Sequence, residues 1–258
     1  HLGLSLDEDF YFEEFADRVA ELVEKHVNIN RLLELTKPVA TAVVPISAGR
    51  HIYKREPSFP IAVACDPAFN FVYEANIRYL HHLGEVTYFS PLADTSLPDV
   101  GFVYLPGGYP ELYLAALSAN RQMLQSIRRY VESGGKLLAE CGGMMYLCDE
   151  IRDKNGDVYP MAGVLHQSAT MENMKLRLGY RTLLYNETRL KGHEFHYSRL
   201  VEQQNPLPSC AVAYTAKGVE TDTPLYHYKN VWAGYTHLYW ADPVGNEWFT
   251  KFVIDGNT

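Results

Sequence analysis

An α/β fold, three layers deep around a mixed, mostly parallel sheet, is predicted for this 258-residue chain by three observations. Short apolar runs ending in turn residues alternate with helical stretches between residues 61 and 143, the pattern of βαβ units whose sheet is buried on both faces. From about residue 160 the texture becomes β-rich, which adds strands without intervening helices. The length is also enough to bury a large core.

Taken in order, residues 7–26 place Phe12, Phe15, Val19, Leu22 and Val23 at helical spacing, with acids at the start and Lys25 and His26 near the end. A short second helix is expected over 30–36. The stretch 37–60, with Pro38, Pro45, Gly49, Pro57 and Pro60 around a basic cluster, reads as a linker. The expected division is therefore 1–59, a helical extension with its linker, and 60–258, the main domain. Within the latter, "IAVACD" (61–66), "EVTYFS" (85–90), "GFVYLPGG" (101–108) and "KLLAECGG" (136–143) are the strands, with helices over 71–82, 110–117 and 119–133. In sheets of this kind ligands sit beyond the carboxyl ends of the strands, where the loops after Asp66, Leu105 and Glu140 converge. Four later runs, 176–185, 193–198, 210–216 and 231–240, read as further strands. A closing helix over 244–254 puts Trp248, Phe249, Phe252 and Val253 on one face.

Composition narrows the function classes. A formal net charge of −8 disfavours a general grip on nucleic acid or an anionic membrane, and the expected partner is a small molecule. Neither a long apolar run nor a signal-peptide pattern is present, so a cytoplasmic location is expected. The four cysteines, Cys65, Cys141, Cys148 and Cys210, form no CxxC pair and suggest neither a disulfide framework nor a zinc site. No metal is expected.

Cys141 stands between the apolar "LLAE" and a glycine pair. As a small hydrophobe closing a strand it would be inert. As the turn into a helix it would feel the unsatisfied N–H groups there, which lower a thiol pKa, and the Gly142 N–H would face a developing oxyanion. The local residues fit both readings. "YLPGGYPE" (104–111) ends a second strand over the same crevice in glycines whose N–H groups can meet negative charge, so Gly108 and Gly142 form a candidate oxyanion hole. A plain βα turn with Pro110 at a helix start has the same sequence. A base is needed, and His237, where "AGYTHLYW" leaves an apolar run, is the first choice among ten histidines. In "GHEFHYS", alternation puts Glu194 and His196 on one strand face, as part of a site or as a satisfied pair.

"LPGGYPELYLAALSAN", "LLAECGGMMYL", "GHEFHYS" and "AGYTHLYW", in this order and spacing, closely resemble the carboxyl-terminal glutaminase portion of cobyrinic acid a,c-diamide synthases, across roughly residues 60–254. The resemblance implies a class I glutamine amidotransferase-like, flavodoxin-like domain. In it Cys141 attacks the glutamine carboxamide, His237 acts as base and acid, and Gly108 and Gly142 hold the oxyanion. Glu194, His196 and Tyr109 are carried as substrate-contacting or positioning residues. The ammonia would amidate the a and c carboxylates of a corrin or related tetrapyrrole. The fragment itself would need no cofactor. ATP and Mg²⁺ are expected in the full-length enzyme, on an amino-terminal synthetase domain for which no GxxxxGK[ST] pattern occurs here. The start at His1, and "HLGL" before the acidic helix, look like the tail of that missing domain, and a homodimer is compatible with the family. Two positions depart from the broader class. Tyr239 stands where many members carry a glutamate two residues after the histidine, and Met145 where many carry a glutamine four residues after the cysteine. The alternatives are the same chemistry for another acceptor (nickel-sirohydrochlorin, cobyric acid or a cell-wall lipid) or a cysteine hydrolase of γ-glutamyl peptides.

Overall fold

The computed structural model describes residues 12–36, 59–204 and 206–255. The start of the first expected helix and most of the expected linker, with its basic stretch, lie outside the described residues. The chain divides into two units. In the first, α1 (Phe12–His26) carries Glu13 and Glu14 in its first turn and Lys25 and His26 in its last, charges that complement the helix dipole. After it, α2 (Ile29–Leu35) is capped by Asn28, whose side chain accepts the Arg31 N–H at 2.9 Å.

The second unit is built on β1 (Pro60–Ala64), α3 (Glu74–Leu83), β2 (Glu85–Phe89), β3 (Phe102–Leu105), α4 (Leu114–Ala119), α5 (Arg121–Glu132), β4 (Lys136–Glu140) and α6 (Gly142–Leu147). Three short strands follow: β5 (Glu150–Arg152), β6 (Val158–Pro160) and β7 (Ser168–Thr170). Next come β8 (Arg177–Tyr185), β9 (Thr188–His196), β10 (Arg199–Leu200), β11 (Val212–Thr215) and β12 (Glu220–Thr221). Last are β13 (Leu225–Tyr228), β14 (Val231–Gly234), β15 (His237–Leu238) and α7 (Pro243–Thr250).

The central sheet has the order β13-β14-β4-β3-β1-β2, parallel throughout except for the β13–β14 pair. The chain reverses its direction of winding between β1 and β3, the switch point over whose strand carboxyl ends sheets of this kind bind ligands. Strand alternation divides the core. Ala62, Val103, Leu105, Leu137 and Ala139 pack with α4, α5 and α6, whereas Ile61, Val63, Phe102, Tyr104 and Leu138 pack with α3, α7 and the β8/β9 layer. Both sheet faces are thus covered, which explains why these strands read as unbroken apolar runs. The closing helix buries Trp248, Phe249, Phe252 and Val253 as its spacing implies, with Phe249 stacked on Trp240 at 3.9 Å.

Three differences from the sequence reading bear on the site. The helix expected over 110–117 is a 3₁₀ turn, Pro110–Leu112, followed by α4 after Tyr113 at φ −125°, ψ 18°. The run 193–198 is only the end of the longer β9, which pairs with all of β8 through a turn at Asn186 and Glu187, both at positive φ. The run 231–240 is two strands in two sheets: β14 lies parallel to β4 in the central sheet, and β15 lies antiparallel to β9.

Candidate active site

Strand β4 ends at Glu140, and the Cys141 N–H still completes its ladder by donating to the Gly234 carbonyl at 2.7 Å. The Cys141 carbonyl already accepts the Met145 N–H at 3.0 Å, the first bond of α6. One residue must make the reversal, and Cys141 does so at φ 49°, ψ −106°, a conformation that costs an L-residue on the order of 1–3 kcal/mol and marks a constrained turn. Burial raises the thiol pKa and nearby Glu111 adds to the rise, while the hydrogen bond from the Gly142 N–H works against both. The helix start therefore does not produce the lowered pKa expected from sequence, because burial outweighs it. The resting thiol is neutral.

The second loop closes over this turn. A Cβ on Gly142 would stand 2.7 Å from the Pro110 ring and 3.2 Å from the Gly108 nitrogen, so the two glycine backbones lie against each other and no side chain fits between them. Tyr109, anchored by its N–H to the Ala68 carbonyl at 2.9 Å, is near enough for a Cys141 thiolate to raise its phenol pKa, after burial and Glu111. Burial also lifts the Glu111 carboxyl to about 7.

His237 arrives from the other sheet. After Gly234 the chain leaves β14, and two residues later it joins β9, pairing His237 with His193. The imidazole is buried and stacked on His193 at 4.9 Å, with the edge of Phe71 at 4.6 Å and Gly107 beneath it, where a Cβ would meet Cε1 at 2.2 Å. Burial, with His193 and His196 adding, lowers its pKa to about 3, so the resting ring is neutral. His193 is itself held by the Tyr73 hydroxyl at 2.5 Å from Nδ1.

Glu194 and His196 share the buried face of β9, with Oε1 and Nε2 3.7 Å apart. The Glu194 carboxylate takes Arg181 at 2.5 Å, and His196 Nδ1 meets the Ser198 carbonyl at 2.8 Å while its ring stacks on Tyr235 at 3.7 Å. Burial alone would raise the Glu194 pKa, but His196, Thr223 and Arg181 bring it below the ordinary value. These two residues line a cavity of about 350 Å³ with Arg177, Ser198, Arg199 and Tyr235. The Ser198 hydroxyl lies 3.2 Å from both the Tyr235 hydroxyl and the sulfur of Met145, which joins the cavity wall to the helix that follows Cys141.

Gly142 lies against Gly108 and Pro110, and the His237 ring against Gly107, so the loop at 107–110, with Tyr109, stands between the Cys141 turn and His237, while Glu194 and His196 line a cavity with Ser198, which reaches the helix after Cys141. Glu194 is held by Arg181 and His196, and the group against the His237 ring is His193. Sequence reasoning missed Gly107, His193 with Tyr73, and Glu140. A buried acid closing an otherwise apolar strand was the signal for the last of these. Among the described residues no group of three His, Cys, Asp or Glu is placed to hold a metal, and no helix is long and apolar enough to cross a membrane.

The family model of the CobB/CobQ-like glutamine amidotransferase domain matches residues 60–244. The cobyrinate a,c-diamide synthase of Leptospira interrogans is 34% identical over 252 residues, covering 93% of this chain and 55% of that protein. The hydrogenobyrinate a,c-diamide synthase of Stutzerimonas stutzeri is 36% identical over 251 residues, covering 95% and 55%. The chain spans about half the length of the curated relatives it matches. The solved structure of PurLQS from Thermotoga maritima superposes with a TM-score of 0.52 over 77% of this chain and 99% of that one, at 16% identity, a likeness of fold. The chain belongs to the CobB/CobQ-like glutamine amidotransferase family.

Proposed function

We propose that this chain hydrolyses glutamine to glutamate and ammonia, with Cys141 as nucleophile and His237 as general base and acid. The single observation that carries this reading is the strained Cys141 turn, which sets a thiol beside two facing glycine backbones and within the crevice of a neutral, buried imidazole. Because the thiol and the imidazole both rest neutral, proton transfer accompanies attack rather than preceding it. Cys141 Sγ bonds to the carboxamide carbon as its proton passes to His237. The oxygen becomes an oxyanion held by the Gly142 and Gly108 N–H groups. His237 returns the proton to the leaving nitrogen, the C–N bond breaks, and ammonia departs from a thioester. Water, deprotonated by His237, then cleaves the thioester, releasing glutamate and the thiol.

The cavity lined by Glu194, His196 and Arg177 receives the amino-acid end of glutamine, its paired charges matching an ammonium and a carboxylate. The ammonia serves amidation of the a and c carboxylates of a cobyrinate- or hydrogenobyrinate-type corrin, with ATP and Mg²⁺ held by the portion of the relatives that this chain does not span. Glutamate release from glutamine, absent in Cys141→Ala, tests the chemistry. For the cavity, Glu194→Gln is expected to raise the KM for glutamine at least fivefold, and an unchanged KM would remove Glu194 from substrate binding.

A further inference from the structure

The backbone next to His237 is held on one side by side chains. Leu238 pairs with Gly192 in the β15–β9 ladder, while its own N–H and carbonyl point into the protein and are met by side chains from other elements. Its carbonyl accepts from Asn76 of α3 at 2.8 Å, and its N–H donates to Glu140 Oε1 at 3.0 Å. Glu140 immediately precedes the nucleophile and Leu238 immediately follows the base. The other carboxylate oxygen of Glu140 accepts the Tyr104 hydroxyl at 2.6 Å, which fixes its rotamer within a fully buried setting. A carboxyl group is a fitting hub here, since the Tyr104 hydroxyl, the Leu238 N–H and the Trp240 indole that also bonds it are all donors, and a carboxylate only accepts.

Building on the glutaminase reading, we propose that Glu140 is a positioning residue that straps β4 to β15 and so fixes the separation of Cys141 from His237. It acts on His237 only through the backbone of the following residue. The strap acts by reach rather than by charge. It leaves the His237 ring alone and holds only the strand that carries it.

Two conservative variants separate reach from charge. Glu140→Gln keeps the length and an oxygen for the Leu238 N–H, and offers its amide N–H to the Tyr104 oxygen. Glu140→Asp keeps the acid but draws it back by one methylene. The expected result is a kcat for glutamine within about threefold of the parent in the Gln variant and roughly 30-fold lower in the Asp variant, with KM within twofold in both, as a sub-ångström to ångström misplacement implies. Amide exchange at Leu238, read alongside, should stay slow in the Gln variant and accelerate at least tenfold in the Asp variant. Equal kcat and equal exchange protection in the two variants, or a loss of kcat in the Gln variant that matches the Asp variant, overturns the strap. If the parent protein itself releases no glutamate, the glutaminase reading fails, and the Leu238 exchange order still decides whether the strap exists.

Discussion

Adding one methyl group at Gly107 should silence the site by displacing the His237 ring. The Cβ of Gly107→Ala would stand 2.2 Å from His237 Cε1 and 2.9 Å from Nδ1. Carbon atoms in contact sit about 3.5 Å apart or more, so the ring must retreat by roughly 1 Å. It has little room, because His193 is stacked on it at 4.9 Å and Phe71 lies edge-on at 4.6 Å. A misplacement of about 1 Å at a catalytic group costs on the order of 100-fold in rate, about 2.7 kcal/mol in the barrier. Overpacking adds a stability loss of about 1–3 kcal/mol, which leaves a folded protein to measure. The assay is steady-state glutamate release, with a thermal melt to confirm folding and labelling by a small electrophile to confirm that Cys141 remains available. Turnover within threefold of the parent would refute the placement of His237 as the base held on Gly107.

The strain at Cys141 and the burial of His237 give two further tests. Cys141→Gly should melt higher than Cys141→Ala by an amount equivalent to about 1 kcal/mol, because glycine adopts φ 49° without penalty, while both variants lose glutamate release; equal melting temperatures would mean that the turn is unstrained. The unfolded imidazole of residue 237 takes up a proton below its ordinary value of 6.5, whereas the folded one resists until about 3. Acidification from pH 6.5 towards 3 therefore favours the unfolded chain at this residue, and the contribution is fully present above 6.5. His237→Asn should flatten that acid-side slope in thermal melts, and a slope identical to the parent's would contradict the neutral, buried imidazole.

Much of the frame was legible because its physics is local. Strands β1, β3 and β4, buried on both faces, can only be unbroken apolar runs, and the glycines that end two of them announce the crevice. The break of 231–240 into two strands was not legible, since both halves are apolar and the step at Tyr235 and Thr236 is set by which sheet each half meets. That step delivers His237, so the residue could be chosen from sequence while the path that places it could not. The expected helix at 110–117 gave way to a 3₁₀ turn whose Pro110 packs against Gly142, a contact between segments distant in sequence. The thiol pKa went the opposite way from the helix-start argument for the same reason: burial is a property of the whole fold. In "GHEFHYS", alternation correctly separated the faces, yet only the β9–β15 register reveals that His193 is the histidine lying against the base.

The proposed role of Cys141 is that of a glutaminase nucleophile. Its most direct measurement is mass spectrometry of the protein after treatment with an electrophilic glutamine analogue, with excess glutamine as competitor. A single adduct is expected on Cys141, slowed by glutamine and absent in Cys141→Ala, while Cys65, Cys148 and Cys210 remain unmodified. An adduct on another cysteine, or labelling of Cys141 that glutamine does not slow, would contradict it.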